Sequence, residues 1–256
     1  MQHVPRKRFG QNFLIDTEIV ADIISAIHSA SDDLLVEIGP GLAALTRPLL
    51  QTVDHLHVVE IDRNIVEHLQ QQFAGDKLTI HSGDALEFDY ASLGQNLRVV
   101  GNLPYNISTP LLFHLSQFTS SIRDLHFMLQ KEVVERMVAS PSSPHYGRLS
   151  VMLQCRFEME QLFLVPPESF RPMPKVESAV VRLIPRRQPV IAPNREKLFA
   201  NIVSTAFSQR RKTLRNTLRQ YLTSEDYAAI EIDPGLRAEN LSVAQFSHIT
   251  DYLSER

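Results

Sequence analysis

The sequence predicts an α/β protein, a mostly parallel sheet of seven strands covered by helices and followed by a small all-helical domain. Three observations carry this expectation. Over residues 1–184, short β-branched apolar runs alternate with amphipathic stretches, the pattern of parallel strands with helices on their faces. A glycine turn, Gly39-Pro40-Gly41, follows the first run, where open α/β sheets bind ligands. Residues 185–194 (PRRQPVIAPN) hold three prolines and no periodicity, which marks a linker between domains at 1–184 and 195–256.

The predicted strands lie near 33–38 (DLLVEI), 55–60 (HLHVVE), 77–81 (KLTIH), 97–101 (LRVVG), 124–129 (DLHFML), 158–165 and 177–184 (ESAVVRLI). Helical spacing fills about 17–29, 42–52, 63–73, 108–118 and 131–139. The last two strands are joined by PPESFRPMPK, whose four prolines forbid a crossover helix, so an antiparallel pair is expected at one edge. Beyond the linker, Phe199, Ile202, Val203, Ala206 and Phe207 recur at three- and four-residue spacing, and Leu214, Leu218, Tyr221 and Leu222 continue the stripe. One helical face therefore packs inward, with Arg210, Arg211, Lys212, Arg215 and Arg219 mostly off it.

With 256 residues, 43% hydrophobic, the chain closes a core without staples. The single cysteine, Cys155, excludes a disulfide framework and cysteine-cluster zinc sites and suits a reducing compartment. Arg6, Lys7 and Arg8 are followed by no apolar leader segment, and no run of about eighteen apolar residues occurs, so a soluble, cytoplasmic protein is expected. The net charge of −3 is unevenly spread: 1–184 carry −6 and 185–256 carry +3, with nine basic residues against Glu196 alone in 185–220. Such a block is either a footprint for a polyanion or a solvated helix face.

The turn Gly39-Pro40-Gly41-Leu42-Ala43-Ala44 matches the glycine fingerprint of nucleotide-cofactor sites. Its glycines let the backbone approach a ligand. Glu60, closing the second strand, is placed to accept from ribose hydroxyls, and Asp84, after the third, from an adenine amine. These residues alone do not separate NAD from S-adenosylmethionine. The fourth strand ends in Gly101-Asn102-Leu103-Pro104-Tyr105. An exocyclic adenine amine is a poor nucleophile, because its lone pair is delocalised into the ring. The Asn102 oxygen, with a main-chain carbonyl of Leu103 or Pro104, can accept from both its N–H groups and aim the lone pair at a methyl donor. Tyr105 offers a flat surface for a base swung from its stack. No hydride chemistry, Ser-His-Asp elbow, Walker loop or metal-ligand histidine spacing is evident, and Cys155 reads as a core residue.

RKRFGQNFL at 6–14, VEIGPG at 36–41, GNLPYNIST at 101–109, MLQKEVVERM at 128–137, YGRLSV at 146–151, SFRPMPKVESAVVRL at 169–183 and FSQRRKTLRNTL at 207–218 together resemble the KsgA/RsmA rRNA adenine dimethyltransferases over nearly the whole chain. The resemblance implies a Rossmann-like class I methyltransferase sheet and a helical C-terminal domain. It further implies S-adenosylmethionine as donor, no metal, and N6-dimethylation of two adjacent adenosines in the 3′-terminal hairpin of small-subunit rRNA as a late step of subunit assembly, by a monomer. Position by position, it puts cofactor contacts on Asn12, Leu14, Gly39, Gly41, Glu60, Asp84 and Asn102. Amine positioning and base stacking fall on Asn102, Leu103, Pro104 and Tyr105, with Phe170 over the base's other face. Phosphate contacts fall on Arg6, Lys7, Arg8, Arg186, Arg187, Arg210, Arg211, Lys212, Arg215 and Arg219. The competing readings are a large-subunit rRNA methyltransferase of the macrolide-resistance type, a mainly non-catalytic ribosome-assembly factor, and, on the glycine turn alone, an NAD-dependent dehydrogenase.

Overall fold

A computed structural model describes residues 12–73 and 75–256; Arg6, Lys7 and Arg8 lie outside them. The described elements are β1 (Phe13–Leu14), α1 (Thr17–Ile27), β2 (Leu35–Ile38), α2 (Thr46–Leu49), β3 (Leu56–Glu60), α3 (Arg63–Gln72), β4 (Leu78–Ser82), β5 (Leu97–Asn102), α4 (Ser108–Leu115), β6 (Ile122–Gln130), α5 (Lys131–Val138), α6 (Arg148–Gln154), β7 (Phe157–Val165), β8 (Phe170–Arg171), β9 (Ser178–Pro185), α7 (Glu196–Ala206), α8 (Leu214–Thr217), α9 (Ser224–Ala229) and α10 (Val243–Ser254). No helix among the described residues is long and apolar enough to cross a membrane.

The seven-stranded sheet runs in the order β4-β3-β2-β5-β6-β9-β7. The pairs among β4, β3, β2, β5 and β6 are parallel, and β9 is antiparallel to β6. The antiparallel strand thus sits one place in from the edge, between β6 and β7, where it completes ladder bonds that an edge strand leaves open. A two-stranded antiparallel ribbon, β1 with β8, is an addition that two-residue strands do not announce in sequence.

Strands β2 and β5 are buried on both faces, which explains their unbroken apolar runs. Because β2 lies between β3 and β5, the chain reverses its direction of travel across the sheet at the carboxyl ends of β2 and β5, the switch point where such sheets open a crevice. At the opposite end, the buried Arg98 guanidinium donates to Asp124, to Asp33 and to the Ile27 carbonyl. Helix α1 is thereby tied to the strands beneath it.

By internal contacts the chain forms two units, one from the residues up to Val134 plus Met159–Pro185, the other from Glu135–Glu158 plus Arg186–Arg256. The division at Pro185 lies beside the expected 184 boundary, but 135–158 group with the C-terminal residues instead of the sheet. Ala139, Tyr146, Val151 and Cys155 share one core with Phe199, Ile202, Leu214, Leu218 and Phe246. The sheet unit has its own core around Ile27, Leu35, Leu56, Val100 and Phe170.

Two expected helices change and one is added. The 42–52 helix contracts to α2, because Gly41 and Ala43 carry positive φ and turns occupy 41–45. Helix α6 falls in a stretch with no predicted element. The C-terminal stripe is not one helix: 207–213 form turns between α7 and α8. Leu214 and Leu218 still enter the same core as Phe199, so the spacing read burial correctly and continuity wrongly.

Candidate active site

A cleft opens at the carboxyl ends of β2, β3, β4 and β5, lined by residues of the sheet unit alone. It is open to solvent at its mouth and lined by both apolar and polar residues, as small-molecule sites are. Its floor is the glycine turn, with Gly39 at φ +66° and Gly41 at φ +54°, left-handed angles that glycine takes without steric cost. A Cβ on Gly41 would stand 3.1 Å from the Phe13 ring, so glycine lets the N-terminal segment fold over the turn as one wall. At Gly101 a Cβ would meet the Ile38 carbonyl oxygen at 2.5 Å; only glycine lets β5 lie this close to β2 at the floor.

Three carboxylates line this end of the sheet. Glu60 is 6% exposed and its Oε1 accepts from the Asp62 amide at 2.8 Å. Burial pushes its pKa up to about 7, with the nearby Asp62 charge adding to the rise. Asp84 accepts from the Leu86 amide at 2.9 Å, an Asx turn that holds it at the cleft wall. Glu37, on β2, is 2% exposed, accepts from the Thr46 hydroxyl at 2.7 Å and is pushed up to about 8, chiefly by burial, with the Glu60 charge adding. Sequence reasoning assigned Glu37 no role. The signal was available: a single acid inside an otherwise apolar strand, LLVEI, is a buried carboxylate.

Across the cleft, β5 ends at Asn102, whose Nδ2 donates to the Asn12 carbonyl at 3.0 Å. That bond settles which way the amide faces, nitrogen toward the wall and oxygen away from it. The Leu103 amide donates to the Met128 carbonyl at 3.2 Å, and the Ile107 amide to that of Pro104 at 3.2 Å, closing a tight turn before α4. The half-buried Tyr105 ring is fixed at its far end by a 2.8 Å hydrogen bond between its hydroxyl and that of Ser178 on β9.

Asn12, Leu14, Gly39, Gly41, Glu60, Asp84, Asn102, Leu103, Pro104 and Tyr105 therefore all line one cleft. Phe170 does not. It is fully buried in the sheet core, paired through β8 with the cleft residue Leu14. An aromatic in SFRP reads alike as a stacking or a packing residue until the pairing of β8 is known. Arg210, Arg211, Lys212, Arg215 and Arg219 are exposed in the other unit, as is Arg187. Arg186 is engaged within that unit, donating to the Gln154 carbonyl at 2.8 Å and to Glu158 at 3.1 Å.

The family model for ribosomal RNA adenine dimethylase matches residues 2–255. The chain is 68% identical to the ribosomal RNA small subunit methyltransferase A of Nitrosospira multiformis, covering 99% of this chain and 98% of that one. It is 62% identical to that of Thiobacillus denitrificans, covering 99% and 100%. Among solved structures, the 23S rRNA methyltransferase ErmE superposes with a TM-score of 0.76 at 22% identity over 95% of this chain and 100% of the other. A dimethyladenosine transferase from Plasmodium falciparum gives 0.76 at 24% over 93% and 95%. At those identities the likeness to the solved structures is one of fold.

Proposed function

Because the chain belongs to the ribosomal RNA adenine dimethylase family, we propose that the cleft holds S-adenosylmethionine and an rRNA adenosine side by side and joins them through Asn102. The protein is an rRNA adenine dimethyltransferase of the small-subunit kind. The large-subunit alternative is not supported, since the high-identity relatives are small-subunit enzymes.

The donor fits the cleft on two counts: a glycine floor without side chains, and two buried carboxylates, Glu37 and Glu60, to face a cationic ligand, the second also spaced, at the end of β3, for ribose hydroxyls. Asn12 and Leu14 would close over it, Glu60 would take the ribose hydroxyls and Asp84 the adenine amine. When bound, this group supplies a methyl on a positively charged sulfur. Tyr105 would support the flipped base. The Asn102 oxygen would accept from one amine N–H and a main-chain carbonyl from the other, with that of Leu103 preferred because the Pro104 carbonyl already accepts from Ile107. No strong base is needed, because the methylated amine is acidic enough to release its proton to water.

The single observation that carries this assignment is the Asn102–Asn12 bond, which turns a carboxamide oxygen away from the wall in the cleft shared by the three carboxylates. Incubation with labelled S-adenosylmethionine and unmethylated small subunits, with mass analysis of the rRNA, tests it: dimethyladenosine at two adjacent positions is expected, and unlabelled rRNA would sink it. The partner is proposed to be the small subunit within the cytoplasm, met by a monomer. The exposed 210–219 cations would contact phosphates, setting affinity and register without reading bases. Arg211→Glu or Lys212→Glu should therefore weaken subunit binding about tenfold and flatten its salt dependence, with S-adenosylmethionine affinity unchanged. Subunit titrations at two salt concentrations would show it.

A further inference from the structure

An adenine N6 inside a stacked helix cannot reach a donor in a cleft, so the base must leave the stack, and the gap it leaves must be held open. We propose that the loop 172–177, between β8 and β9, is the wedge that does this, with Met173 entering the base stack beside the target adenosine and Val176 supporting it. The inference rests on the cleft being the site of methyl transfer.

Both ends of the loop are fastened to cleft walls. At its start, β8 pairs with β1, matching Arg171 to Phe13 and Phe170 to Leu14, and Phe13 and Leu14 line the cleft. At its end, Ser178 bonds the Tyr105 hydroxyl at 2.8 Å, and the Lys131 ammonium holds Glu177 at 2.7 Å. The loop thus borders the side of the cleft where Tyr105 would receive the base.

Between those anchors the loop exposes apolar surface. Met173 is 58% and Val176 45% exposed, although Pro174 between them is buried. Two large apolar side chains exposed within one short loop are surface that a partner can cover, and a wedge must be stiff. Met173 stands between Pro172 and Pro174, whose rings fix their own φ and hold the residue before Pro174 extended. The backbone therefore has little freedom left to lose on insertion. Lys175 is exposed on one side of Met173, placed to take a phosphate of an opened step; Arg171, on the other, is exposed but donates Nη1 to the Phe170 and Glu168 carbonyls. Apolar tips flanked by cations match a nucleic-acid step better than a protein groove.

The test uses an RNA hairpin of the small-subunit 3′ end with 2-aminopurine at the target adenosine. This base fluoresces when unstacked and lacks the 6-amino group, so extrusion is read without chemistry. Wild-type protein is expected to raise the fluorescence. Met173→Ala with Val176→Ser should cut that rise about fivefold and slow methyl transfer to small subunits about tenfold, with hairpin affinity and S-adenosylmethionine affinity unchanged. Met173→Leu should restore both. A full rise in the double variant overturns the proposal, as does a loss that merely tracks weaker hairpin binding, or no rise with wild-type protein. Whether wild-type protein methylates small subunits is a separate readout, on which the role of the cleft stands or falls regardless of Met173.

Discussion

Replacing Asn102 with alanine is expected to slow methyl transfer by about 10²- to 10³-fold, the size of effect seen when one pre-oriented polar partner is removed from a reacting group. The amine gains nucleophilicity only if its lone pair is drawn out of conjugation with the ring, which needs acceptors already aimed at its N–H groups. The Asn12 carbonyl does the aiming, because it takes the Asn102 nitrogen at 3.0 Å and leaves the oxygen facing the other way. Asn102→Asp separates aim from chemistry: a carboxylate is an acceptor only, so it loses the Asn12 bond and meets a carbonyl oxygen instead. Its rate should fall between those of alanine and asparagine. Single-turnover transfer at saturating cofactor measures the step, and thermal unfolding checks that both variants fold. An alanine variant that transfers at the wild-type rate removes the side chain from the mechanism.

Much of this site was legible before the fold was known, for a physical reason. Parallel strands buried on both faces stand out as short unbroken apolar runs, so β2, β3 and β5 could be placed to within about two residues, and β4 followed from the same spacing of strand and helix. Their carboxyl ends then named Gly39, Glu60, Asp84 and Asn102 together. What escaped depends on pairing over long separations. Phe170 reads the same whether it faces a ligand or a core, and its burial beside Leu14, through β8, depends on a pairing that local spacing does not encode. The grouping of 135–158 with the C-terminal unit rests on contacts such as the Tyr146 hydroxyl with the Leu241 carbonyl, 95 residues apart, which no local spacing encodes. The break at 207–213 kept Leu214 and Leu218 in the same core as Phe199, so periodicity had no reason to fail there. Glu37 escaped because the glycines beside it carry the stronger motif.

The affinity for S-adenosylmethionine is expected to rise with pH, by about tenfold between pH 6 and 7.5 for one proton released on binding. Glu37 and Glu60 line the cleft with pKa values pushed by burial to about 8 and about 7, so below neutrality the empty site holds two neutral acids. A sulfonium ligand favours their ionised forms, and ionisation releases protons that appear in the binding equilibrium. Keeping below pH 7.5 avoids the titration of the donor's own α-amino group at roughly 7.7–8.0. Folding responds with the opposite sign. Both folded-state values exceed the ordinary 4.5, so the folded chain binds protons that the unfolded chain has released, and these two groups' contribution to the empty protein's stability declines as pH rises from about 5 toward 8. Calorimetry in buffers of different ionisation heat would count the protons released. Glu60→Gln should flatten the profile, because its amide does not titrate, and S-adenosylhomocysteine, with no charge on sulfur, should show a shallower slope than the donor. A profile equally flat for both ligands would mean that neither carboxylate faces the sulfonium.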